Sequence, residues 1–138
     1  MDIAIVYDSR TGTTAKAAQA MSHLLVQAGH NCQVYPAGQA KAAEVAAADL
    51  LCIGGWVQGL FIIRQHPSDG AMRFIQRLDD LVGQKAIVFC TYKLAAGSTL
   101  LQMAEALEGK GAQVIAQFKY RGPEPNHDFA TFAASLDG

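Results

Sequence analysis

Ile3-Ala4-Ile5-Val6-Tyr7-Asp8 runs directly into Ser9-Arg10-Thr11-Gly12-Thr13-Thr14, and this junction decides the fold. Its first part is short, apolar and β-branched, which is the length and content of a strand buried on both faces. Past the junction the period changes. Ala17, Ala18, Met21, Leu24, Leu25 and Ala28 recur at three- and four-residue spacing and predict an amphipathic helix ending near Gly29. Four hydroxyls and one glycine lie between strand and helix. Such a turn suits a single phosphate: unpaired N–H groups and the helix dipole attract an anion, Gly12 permits close approach, and the hydroxyls add donors. Ser and Thr are also ordinary helix caps, but their clustering around a glycine at this position favours the anion. Neither G-x-G-x-x-G nor G-x-x-x-x-G-K-[ST] occurs, so the usual dinucleotide and nucleoside triphosphate loops are excluded.

Outward from the junction, strands and helices alternate. Cys32 to Tyr35 reads as a second strand, Lys41 to Ala48 as a modest helix, and Leu50 to Ile53 as a third strand stopping at Gly54-Gly55. Trp56 to Pro67 shows no helical period and reads as a long loop; from Ser68, a helix places Phe74, Ile75, Leu78 and Leu81 on one face. Lys85 to Cys90 is a fourth strand, and Thr99 to Lys110 a helix with Leu100, Met103, Ala104 and Leu107 inward. Gln113 to Phe118 is a fifth strand, and Phe129, Phe132, Ala133 and Leu136 mark a last helix. The pattern predicts an α/β fold, a parallel sheet with helices on both faces and right-handed crossovers. Ligands of such sheets bind beyond the carboxyl ends of the strands, which directs attention to the loops after strands one, three and four.

The 138 residues predict one domain over 1–138, and 51% hydrophobic against 17% charged residues excludes a disordered chain. With 11 Lys+Arg, 12 Asp+Glu and a formal net charge of −1, the balance is not that of a nucleic-acid binder. Cys32, Cys52 and Cys90 form no CxxC pair, and His23, His30, His66 and His127 are dispersed, so no metal site is expected. No Ser/His/Asp or Cys/His constellation appears, hence no catalytic residues are named. No apolar run approaches the ~18 residues of a membrane span, and a reducing, cytoplasmic location is expected.

Ser9 to Thr14 resembles the S/T-x-T-G-x-T phosphate loop of flavodoxins, and the element order is similar to that of short-chain members of the family. The resemblance implies a flavodoxin-like, doubly wound, five-stranded parallel sheet in the order 2-1-3-4-5. It also implies one non-covalent flavin mononucleotide (FMN). Its phosphate would be held by Ser9, Arg10, Thr11, Gly12, Thr13 and Thr14, and its ring by two further loops. The second loop carries Gly55, Trp56, Val57, Gln58, Gly59 and Leu60, with Trp56 a candidate wall. Gly59 is either a plain turn residue or, by the resemblance, part of a peptide that turns over on reduction so that its carbonyl accepts the proton-bearing flavin nitrogen. The third loop carries Thr91, Tyr92, Lys93, Leu94 and Gly97, with Leu94 where many members have a stacking aromatic. Gly122-Pro123-Glu124-Pro125 either approaches the cofactor or simply turns the chain.

The function so implied is an electron carrier passing single electrons between redox partner proteins. An FMN-dependent NAD(P)H:quinone-type reductase and a flavin-free binding module on the same fold are the alternatives. One departure from the family concerns charge: Leu60-Phe61-Ile62-Ile63-Arg64 stands where members are often acidic. Losing one carboxylate ~10 Å away at an effective dielectric of 20–40 changes the energy by roughly 0.8–1.7 kcal/mol, or about 35–70 mV for one electron. A less negative potential for full reduction follows. The apolar Leu60-Phe61-Ile62-Ile63 run either covers the protein's own core or forms a docking or dimer contact.

Overall fold

The structure, a computed structural model, describes residues 1–60 and 63–137, with only the backbone of Leu60. Strand β1 (Asp2–Tyr7) is central. It pairs in parallel with β2 (Asn31–Pro36) on one side and with the first half of β3 (Leu50–Leu60) on the other. Next come β5 (Lys85–Thr91) and β6 (Gln113–Tyr120), both parallel, so the order is β2-β1-β3-β5-β6. This is the expected five-strand order with one further strand, β4 (Ile63–Pro67), antiparallel to the outer half of β3.

The alternation of side chains along the strands separates two cores. Ile3, Ile5, Leu50, Cys52, Ile87 and Phe89 face α1 (Thr13–Gln27) and α5 (His127–Ser135), where Met21, Leu25 and Phe129 are buried. Ala4, Val6, Leu51, Ile53, Ala86 and Val88 face the other way. They meet Val45 of α2 (Ala42–Val45), Phe74 and Ile75 of α3 (Asp69–Arg77) and Met103 and Leu107 of α4 (Thr99–Glu108). Gly54 is needed because the far end of the Phe89 ring, with Cζ nearest, occupies the space that a Cβ would take.

Two sequence expectations are corrected. Trp56 to Pro67 is not a loop: β3 continues to Leu60 and β4 pairs back on it, with Val57 opposite Pro67, Gln58 opposite His66 and Leu60 opposite Ile63. The register shifts between Gln58 and Leu60: Gly59, with φ 154°, stands opposite two residues of β4, Arg64 and Gln65, and this bulge puts Arg64 at φ 59°. A bulge shifts the period of two that would mark a strand, which hid the element. The helix α3 also ends earlier than expected, at Arg77, with extended backbone at Leu78. Leu78 and Leu81 are buried from the turn that follows, and Lys110 Nζ donates to the carbonyls of Gln76 and Leu78 at this helix end.

Candidate functional site

The strand order reverses between β1 and β3, and a cavity of about 400 Å³ opens at the carboxyl ends of the strands there. Its edge is the turn from β1 into α1. Gly12 is the helix N-cap with φ 92°, a left-handed conformation that favours glycine, and the space its Cβ would take is open. Ser9 Oγ accepts from the Gly12 N–H at 3.1 Å and the Ala15 N–H at 3.3 Å. Two main-chain donors at the positive end of a helix therefore already converge on one oxygen atom. Thr13 and Thr14, in the first helical turn, have N–H groups without an intrahelical acceptor.

Arg10, Thr11, Thr13 and Thr14 line the cavity, whereas Ser9 and Gly12 form the turn behind it. The hydroxyls of Thr11 and Thr13 lie 3.4 Å apart and are exposed. That of Thr14 is committed elsewhere: it is hydrogen-bonded at 2.7 Å to Thr91 Oγ1, both residues being buried. The phosphate-type turn and the end of β5 are thereby joined beneath the cavity.

The walls come from β3 and from the segment after β5. Trp56, Val57, Gln58 and Gly59 line one side, and Thr91, Tyr92, Lys93 and Leu94 another. Gln58 has a second task, since its Oε1 accepts from the Asp69 N–H at the start of α3 at 2.6 Å. Gly55 and Gly97 fall outside the lining. A Cβ on Gly55 would come within 2.6 Å of Ser68 Oγ, and one on Gly97 within 2.7 Å of Gln65 Cβ, so both serve close packing. The side chain of Leu60 and the whole of Phe61 and Ile62 lie outside the described residues; of the apolar run only Ile63 is placed, and it is 57% exposed.

Sequence reasoning missed Gln65, Ala95 and Arg121, all of which line the cavity; Gly122 and Pro123, left open, line it too. Arg121 directly follows β6, so the carboxyl-end rule that singled out the other loops could have found it. Its guanidinium lies 5.4 Å from the Tyr92 ring centroid, and that of Arg10 lies 5.4 Å from the Trp56 ring. With Lys93, three cations line the cavity, and no carboxylate does among the described residues.

No cluster of potential metal ligands occurs among the described residues, and His66 is in β4 with Nδ1 3.0 Å from the Pro67 carbonyl oxygen. Cys52 and Cys90 are free and buried. Burial pushes the Cys90 thiol up to about 12, with Lys119 opposing the shift, and burial likewise raises the Tyr120 phenol.

The family profile described as flavodoxin domain matches residues 4–134. No curated protein sequence matches significantly. Among solved structures, a short-chain flavodoxin associated with a PDU bacterial microcompartment superposes with a TM-score of 0.80 at 19% identity, covering 96% of this chain and 94% of that one. The two-electron reduced flavodoxin of Megasphaera elsdenii gives 0.78 at 22% identity, over 97% and 99%. Rubredoxin oxygen:oxidoreductase from Desulfovibrio gigas gives 0.72 at 17% identity, over 97% of this chain but 33% of that one. At these identities the superpositions establish the fold.

Proposed function

The chain belongs to the flavodoxin family, and from that premise we propose that it binds one FMN non-covalently and passes single electrons between redox partner proteins. The observation that carries this reading is the turn from β1 into α1, where Ser9 Oγ accepts from the Gly12 and Ala15 N–H groups and so fixes the loop whose Thr11 and Thr13 line a cavity walled by Trp56 and Tyr92. Its volume of about 400 Å³ is within the ~300–1,000 Å³ usual for small-molecule sites, and it sets aromatic and aliphatic faces beside hydroxyl, amide and cationic side chains. These residues fit a planar ring that ends in a phosphate.

When bound, FMN supplies the electron chemistry; the protein's part is binding, orientation and electrostatics. Ser9, Thr11 and Thr13 would hold the phosphate together with the start of α1, and the hydroxyl of Thr14 would brace the turn from beneath. Trp56 and Tyr92 would flank the ring. Leu94, 61% exposed, offers an aliphatic cover where an aromatic would stack. Gly59 stands where the β3–β4 register is irregular, with a backbone at φ 154° that favours glycine, so the Gly59-Leu60 peptide would be the one to turn and present its carbonyl oxygen to a proton. The three free thiols suit a reducing compartment, and we place the protein in the cytoplasm as one domain. Purified protein mixed with FMN, desalted and then denatured should release one flavin equivalent. Release of none contradicts the reading.

A further inference from the structure

We propose that the cavity mouth is a docking face for an electron-exchange protein that presents carboxylates, a purpose that rests on the flavin reading although the binding itself does not. Arg10, Lys93 and Arg121 line the cavity and are exposed. Arg64 of β4 is exposed and adjoins two lining residues: it precedes Gln65, and its backbone carbonyl oxygen lies 3.0 Å from where a Cβ on Gly59 would stand. Two of these charges are held in place, because the guanidinium groups of Arg10 and Arg121 rest over the rings of Trp56 and Tyr92. Beside them Leu94 is 61% exposed. Aromatic and aliphatic surface framed by arginines is the composition of a protein contact rather than of a nucleic-acid track, which needs cations in a continuous stripe.

The net charge of −1 conceals how the charges are distributed. Asp2 begins β1, Asp49 precedes β3, Asp79 and Asp80 precede β5, and Glu105 and Glu108 end α4, all at the end of the sheet away from the cavity. Lys85 and Lys110 offset them only in part. Acids do occur on the cavity side, but Asp69 and Asp128 lie in the first turns of α3 and α5, Asp8 is packed against Gly70, and Glu124 is outside the cavity lining. The lining of the opening through which electrons would pass is therefore positive, with three cations and no carboxylate among the described residues, and the acids on that side of the sheet stand outside it. Such a field steers an acidic partner and repels a basic one.

The test compares two forms of one probe, native cytochrome c, which is basic, and succinylated cytochrome c, which is acidic. Affinity for the full chain is measured with and without FMN at low and at physiological ionic strength. The succinylated form should bind ~10-fold or more tightly at low salt, with the advantage shrinking as salt screens it. Arg64→Glu with Arg121→Glu should remove the preference in a variant whose circular dichroism is unchanged, whereas Lys85→Glu at the far end should not. Equal or tighter binding of native cytochrome c overturns the proposal. So does a preference that survives the double reversal, tighter binding of a short DNA duplex, or self-association that the double reversal abolishes. Failure to take up FMN would contradict the proposed function instead, and leaves the affinity comparison readable.

Discussion

The hydroxyl groups of Thr14 and Thr91 meet at 2.7 Å in the interior, tying the first turn of α1 to the last residue of β5 across 77 positions of sequence. Neither residue reaches solvent appreciably, at 1% and 4% exposure, so each hydroxyl depends on the other. Thr14→Val or Thr91→Val alone leaves one buried hydroxyl unpaired and should cost ~1–3 kcal/mol of stability in urea titrations. The double valine variant should cost no more than either single change. If the pair also aligns the two cavity walls, both single variants should weaken FMN binding by more than the double variant does.

Gly54 and Phe89 form a second coupled pair, because the ring fills the place of the missing Cβ. Gly54→Ala should destabilise by ~1–3 kcal/mol or more through overpacking. In a Phe89→Leu background the same change should cost clearly less, and a double-mutant cycle measures the difference. Equal costs in both backgrounds would show that the backbone, not the ring, sets the requirement.

The thiols predict an alkaline limit. Burial raises Cys32, Cys52 and Cys90 above the ordinary value of 9.0, Cys90 to about 12. A folded-state value above the unfolded one means that the unfolded chain loses its protons first. Stability from this source is therefore intact below pH 9 and declines as pH rises from about 9 towards 12. Urea midpoints at pH 7, 9 and 10.5 should fall in that order, less steeply in Cys90→Ala. At neutral pH a thiol reagent should reach the half-buried Cys32 before Cys52 and Cys90, which react only on unfolding.

Cations in place of carboxylates should make full reduction of bound flavin easier than in acidic members of the family. Arg121→Gln, which removes one charge from the lining, should make that potential more negative by about 35–70 mV for a charge ~10 Å from the ring. Potentiometry of the loaded protein checks this; an unchanged potential would mean that solvent screens Arg121 completely.

The parts of the molecule that the sequence discloses are those whose physics is local. Ile3 to Val6 and Ala86 to Cys90 are continuous apolar runs, as strands buried on both faces must be, and α1 and α4 carry their stripes at helical spacing. The turn from Ser9 to Thr14 is legible because its chemistry is contiguous. The hairpin of β3 and β4 is not, since the bulge at Arg64 and Gln65 opposite Gly59 shifts the alternation along β4 and the pairing is what makes those residues a strand. The commitment of the Thr14 hydroxyl to Thr91 and the placement of Arg121 over Tyr92 depend on contacts between distant segments. Gly55 looks like a loop glycine in sequence, but packing against Ser68 and Ala71 is what requires it.

Trp56 is the chain's one tryptophan and lines the cavity, so its fluorescence reports directly on what enters. Titration of the flavin-free protein with FMN and, separately, with riboflavin isolates the phosphate that the turn after β1 is built to hold. Quenching that saturates at one equivalent of FMN, with riboflavin bound at least ~100-fold more weakly, or ~2.7 kcal/mol, is the predicted result. Equal affinity for the two flavins, or no quenching by either, would contradict it.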